Sequence, residues 1–202
     1  MIYIISGAVD EGKTRKMASI YTKLKQGDGF LSKKIFAGPD DKTFTGYEIT
    51  RLATGQSMPL AYKTGYIPGG WDEIYTCGPY CFSKAALEFA HGIIDELIDR
   101  CIAPVFIDEI GPLELRGKGF APLFKKALDT REDIYVAVRN FCVSDVIEKF
   151  YIRDYQIIKA GSCPQPIKVD EKISSRLENL HKKTRLSLKS SIKVNEQNEH
   201  TD

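Results

Sequence analysis

The chain predicts an α/β fold: a mostly parallel sheet flanked by helices, with an antiparallel β meander inserted after the first strand–helix unit. Three observations carry this. A short apolar run, Ile2-Tyr3-Ile4-Ile5, leads through a glycine-bounded loop into a segment of helical period. Two further apolar runs, Pro104–Ile107 and Ile134–Val138, are unbroken, as strands buried on both faces of a parallel sheet are. Amphipathic helical stretches separate these runs, which is the alternation that builds parallel sheets.

The loop is Ser6-Gly7-Ala8-Val9-Asp10-Glu11-Gly12-Lys13-Thr14, a G-x-x-x-x-G-K-T pattern between a strand and a helix. Consecutive backbone N–H groups in such a loop form an anion nest, and the following helix adds the positive end of its dipole. Gly7, Ala8, Val9, Asp10, Glu11, Gly12, Lys13, Thr14 and Arg15 are the expected phosphate contacts. Lys13 can reach the terminal phosphates, and Thr14 can offer its hydroxyl to Mg²⁺. Met17, Ile20, Tyr21 and Leu24 mark the helix that follows.

Gly27-Asp28-Gly29 then signals a turn, and Phe30–Phe36 reads as a strand. Phe44–Leu52, Met58–Tyr62 and Ile74–Cys77 follow as short strands between tight turns, with a loop at Gly65–Trp71. The insertion is expected over residues 30–77. Ser83 is a candidate N-cap for a helix whose stripe is Leu87, Ala90, Ile94, Leu97, Ile98 and Cys101.

Pro104–Ile107 ends in Asp108-Glu109. Ligands bind at the carboxyl ends of parallel strands, so this pair should share an edge with Lys13. Asp108 would hold Mg²⁺ opposite Thr14. Glu109, pointing differently, would orient or deprotonate an attacking water. Phe120, Leu123, Phe124, Ala127 and Leu128 mark the next helix. Arg139, at the end of the Ile134–Val138 strand, has two readings: it stabilises charge on a transferring phosphoryl group, or it is a surface arginine. Asn140 is read as the N-cap of the helix at Val143–Phe150, and Tyr155–Ile158 as the last strand. A compact domain is expected over residues 1–170, with a charged, partly disordered tail over 171–202.

Composition is that of an ordinary globular protein: 202 residues, 43% hydrophobic, 28% charged, net charge +2. No apolar run approaches the roughly 20 residues that span a bilayer. The five cysteines form no C-x-x-C pair, so reduced thiols and a cytoplasmic monomer are expected. A nucleic-acid or protein partner is left open, with nothing in the sequence that supports one.

Asp108-Glu109-Ile110-Gly111-Pro112-Leu113-Glu114-Leu115 resembles the second nucleotide motif, DEIG-x-(M/L)-E-L, of the thermophile-type or cancer-related family of small P-loop nucleoside-triphosphatases. Gly29-Phe30, Gly46-Tyr47 and Gly78-Pro79-Tyr80 are similar too, and the likeness covers roughly residues 1–160. It implies a RecA-like P-loop fold and slow, Mg²⁺-dependent hydrolysis of several nucleoside triphosphates, ATP and GTP among them. By motif position it gives Gly7, Gly12, Lys13 and Thr14 the phosphate and metal roles, Asp108 the second metal contact and Glu109 the base. The loop departs from the family's usual G-x-x-G-x-G-K-T-T: Asp10 replaces a glycine, Glu11 precedes Gly12, and Arg15 replaces a threonine. Two acids in a phosphate cradle oppose an anion unless they point away. Two other functions fit the same residues: a kinase in which Glu109 activates an acceptor hydroxyl, and a nucleotide-dependent switch that binds RNA or protein.

Overall fold

A nine-stranded sheet in the order β5-β6-β4-β3-β2-β7-β8-β1-β9 organises the molecule. Its strands are β1 (Ile2–Gly7), β2 (Asp28–Phe36), β3 (Phe44–Arg51), β4 (Ser57–Lys63), β5 (Glu73–Cys77), β6 (Tyr80–Ser83), β7 (Val105–Ile110), β8 (Ile134–Arg139) and β9 (Tyr155–Lys159). The helices are α1 (Lys13–Leu24), α2 (Lys84–Asp99), α3 (Pro112–Leu115), α4 (Ala121–Asp129) and α5 (Val143–Lys149). This computed structural model describes residues 1–39 and 42–161, and Met1–Gly161 is one compact unit. The boundary expected near residue 170, the tail and Cys163 lie outside the described residues.

The run β2-β7-β8-β1-β9 is parallel. Its strands alternate between two cores, which is why they read as unbroken apolar runs. Ile2, Ile4, Val105, Ile107, Ile134 and Val136 face one cluster with α2 and α4 residues such as Ile94, Leu123 and Phe124. On α1's side Tyr3, Tyr135 and Phe106 stack in a row, with ring centroids 4.4 and 5.0 Å apart, and Tyr21 of α1 meets Phe106 edge-on.

The other strands are antiparallel. The sequence placed this part over residues 30–77, whereas its pairing runs on to Ser83. β2 joins the two halves, pairing parallel with β7 and antiparallel with β3. β6 was not expected. It has four residues and is held by pairing with Ala61–Lys63 and with β5, contacts that local sequence does not encode. Ser83 caps α2 as expected, its Oγ accepting from the Ala86 amide. Asn140 does not cap α5. Its carboxamide oxygen accepts from the Phe141 amide at the start of a 3₁₀ turn, and Cys142 begins the helix.

Arg51 ties the two halves together. Its guanidinium donates to Asp28 at 2.7 Å and to Glu96 of α2 at 2.6 Å, and Asp28 is 2% exposed. Arg51→Ala would leave the Asp28 carboxylate buried without its cation. It should cost about 3–5 kcal/mol, read as a lowered midpoint of chemical denaturation. Among the described residues no helix is long and apolar enough to cross a membrane, and the four described cysteines are free thiols.

Candidate active site

The parallel strands bring three ends to one edge. Gly7 closes β1 beside Arg139 of β8, and Asp108 of β7 is in register with Ala137. The register then shifts between Asp108 and Ile110, leaving Glu109 as the extra residue of a bulge. Bulges re-aim side chains, which is how two adjacent carboxylates serve one site. No local residue pattern signals this irregularity.

The loop after β1 ends in Gly12, which adopts φ +86° as N-cap of α1 and offers no side-chain cap. No acidic residue stands in the first turn of α1 either. The positive end of this helix is therefore open to an anion. Asp10 takes φ +64°, a left-handed conformation that Asp tolerates better than most residues. Its carboxylate points away from the loop and pairs with Lys34 of β2 at 2.7 Å. Glu11 does the opposite. Its Oε2 folds back and accepts from the Ala8 amide at 2.7 Å, inside the cradle. One of the two acids thus occupies an amide of the loop itself. Val9 is exposed, and Arg15 is exposed with its guanidinium beside Gly12.

Lys13 is 6% exposed. Its Nζ donates to the carbonyls of Gly7 (3.2 Å) and Ala8 (2.8 Å) and pairs with Glu109 Oε2 at 3.3 Å. Glu109 Oε1 takes Arg139 Nε at 2.6 Å. Arg139, 34% exposed, is thus paired with the acid pair at the rim of the site. Asp108 is buried, accepting from the Thr14 hydroxyl and, at 3.2 Å, from the Ser32 amide. The Ser32 hydroxyl also donates to the Asp108 carbonyl. Lys13, Thr14, Asp108, Glu109 and Arg139 line one cavity of about 740 Å³.

Burial pushes the Asp108 carboxyl up to about 7. The Thr14 hydrogen bond opposes the rise, and the Glu109 charge adds to it. A buried carboxylate beside a hydroxyl is a hard oxygen pair, the donor chemistry that Mg²⁺ takes. Among the described residues no cluster of three or more His, Cys, Asp or Glu could hold a metal alone. A cation here would complete its shell with phosphate oxygens and water, as is usual for Mg²⁺ in phosphoryl-transfer sites.

Three residues were missed as parts of this site. Glu114 caps the first turn of α3, accepting from the Gly111 amide at 2.8 Å and the Phe120 amide at 3.1 Å. An acid within an apolar stretch was the available signal. Ser32 had none and Tyr47 only the Gly46-Tyr47 likeness, because both arrive on distant strands. Tyr47 is hydrogen-bonded to Tyr80 and lies in the field of Glu109 and Arg139; burial, with Tyr80, raises its hydroxyl above the usual tyrosine range.

Burial likewise raises Glu114 to about 7. Both carboxyls, Asp108 and Glu114, thus hold protons in the folded state that the unfolded chain gives up near pH 4. The stability they contribute is present below that pH and is lost as pH rises through about 7. Thermal melts in EDTA should therefore show a falling midpoint from pH 5 to pH 8, with a smaller fall in Asp108→Asn.

A family model described as NTPase matches residues 2–161. Among solved structures, the crystal structure of THEP1 from the hyperthermophile Aquifex aeolicus superposes with TM-score 0.61 at 21% identity, over 89% of this chain and 99% of that one. The solution structure of a human cancer-related nucleoside triphosphatase gives TM-score 0.50 at 14% identity, over 89% and 96% of the respective chains. At these identities the likeness is one of fold. No curated protein matches the chain.

Proposed function

This chain belongs to the NTPase family, whose model spans residues 2–161, and from that premise we propose that it hydrolyses nucleoside 5′-triphosphates of several bases to diphosphate and phosphate with Mg²⁺. The observation that supports this most is Glu109 held between Lys13 and Arg139 at the mouth of an uncapped helix. Thr14 and Asp108 would hold the cation, which would neutralise charge on the triphosphate.

The resting contacts of Lys13 are substitutes. Two carbonyls and a carboxylate stand where phosphate oxygens would be, and a terminal phosphate offers the ammonium more charge than a carbonyl does. Its transfer to the phosphate leaves Glu109 Oε2 free to accept a hydrogen bond from water, while Arg139 keeps Oε1 and fixes the carboxylate. The water oxygen then bonds to the γ-phosphorus, the bond to the β,γ-bridging oxygen breaks, and the proton passes to Glu109. Arg139, next to the same centre, steadies the charge that develops.

Phosphate release from ATP, GTP, CTP and UTP, with Mg²⁺ and with EDTA, tests the reading. Release from several of them, abolished by EDTA, is expected; release from none would reject it.

Glu11 sets the affinity. A nucleotide must displace its carboxylate from the Ala8 amide and then sit beside it. Glu11→Ala should tighten nucleotide binding by about tenfold to a hundredfold, the scale of one charge-assisted hydrogen bond. Titration calorimetry checks this, and an unchanged dissociation constant would mean that Glu11 swings clear without cost.

A further inference from the structure

The cavity that Lys13 and Glu109 line has a second part to its lining. There its wall is apolar and aromatic: Tyr47, Leu60, Tyr80, Phe82, Leu113 and Phe120. The antiparallel strands supply most of it. Tyr47 and Tyr80 are 5.5 Å apart at their ring centroids and hydrogen-bonded to each other, and Leu60 and Phe120 are 5% and 4% exposed. Hydrolysis needs room there for one water, about 30 Å³. The cavity of about 740 Å³ is shared with the phosphate loop, and its mainly apolar lining suits an organic ligand in addition to phosphates.

We propose that this chamber binds a second substrate, a small planar-ring molecule carrying a hydroxyl, and that the protein transfers the γ-phosphoryl group to it. The inference rests on the triphosphate reading above and adds an acceptor to it. The ring packs against Tyr47 and Tyr80, offset or edge-on. The hydroxyl meets Glu109, which is paired with Lys13 and Arg139. The acceptor oxygen bonds to the γ-phosphorus, and the bond to the β,γ-bridging oxygen breaks. The nucleoside diphosphate leaves with that electron pair, and the acceptor's proton passes to Glu109 and on to solvent. Water takes the same place when the chamber is empty, so hydrolysis is the slow reaction of a protein without its acceptor.

Phosphorus NMR of the full chain with Mg²⁺ and ATP tests this, using adenosine, uridine and 4-hydroxybenzyl alcohol as planar probes and glycerol as the non-planar one. A phosphate monoester should form from at least one planar probe, saturating with its concentration, and not from glycerol. Tyr80→Ala should lower the ratio of ester to inorganic phosphate at least tenfold, and Tyr80→Phe should keep at least half of it. Inorganic phosphate alone with every probe would overturn the proposal and leave the hydrolase standing. So would equal esterification of glycerol, or an unchanged ratio in Tyr80→Ala. Absence of any phosphorus product from ATP would overturn the hydrolase reading as well.

Discussion

Glu109→Gln should cut phosphate release by about 10²- to 10⁴-fold, the usual contribution of a positioned general base. The change keeps the size of the side chain and most of its hydrogen bonding. It removes the negative charge between Lys13 and Arg139, and with it the site that takes the proton. Binding should suffer little, because Glu109 makes no contact with the loop amides. Removing a carboxylate 3.3 Å from Lys13 even favours a phosphate at that ammonium. The expected pattern is thus a nucleotide dissociation constant within a few fold of wild type and a collapsed single-turnover rate. If the rate survived, Glu109 would be only an anchor for Lys13 and Arg139, and the water would have another partner.

Lys13→Ala should lose at least about 10²- to 10³-fold in phosphate release, the range for removing one preorganised donor to a charged transition state. The losses here compound. The ammonium that would neutralise the terminal phosphate goes, and binding weakens along with turnover. The carbonyls of Gly7 and Ala8 lose their shared donor, and Glu109 keeps only Arg139. The loop should lose its shape as well as its charge, so Lys13→Arg should rescue poorly: a planar fork does not replace a point charge shared by three acceptors. Circular dichroism of the variant should show the fold intact, since the loop lies outside both cores.

The parts of this site that the sequence disclosed are those written in local chemistry. The strand–loop–helix unit at Ile2–Leu24 is one, because a glycine pair, a lysine and a threonine need each other's spacing. The Asp108-Glu109 pair is another, because an apolar run that ends in two acids, weak alone, becomes a strong signal in a chain that also carries a phosphate loop. The octapeptide 108–115 also pointed to the family that residues 2–161 match. What stayed hidden depends on other strands. The bulge at Glu109 exists only against β8, and β6 only against β4 and β5. Arg139 has two readings in the sequence, and its pairing with Glu109 exists only across strands. The two acids of the loop were visible, but their opposite directions were not: Asp10 is drawn outward by Lys34 from β2, and Glu11 inward by an amide three residues back.

A structure of the protein with Mg²⁺ and a non-hydrolysable triphosphate tests the central claim most directly. The account predicts that Lys13 Nζ leaves the Gly7 and Ala8 carbonyls for the terminal phosphate, that Glu11 vacates the Ala8 amide, and that the cation lies between Thr14 and Asp108. A triphosphate bound anywhere else, with Lys13 still on Glu109 and Glu11 still on Ala8, would contradict it.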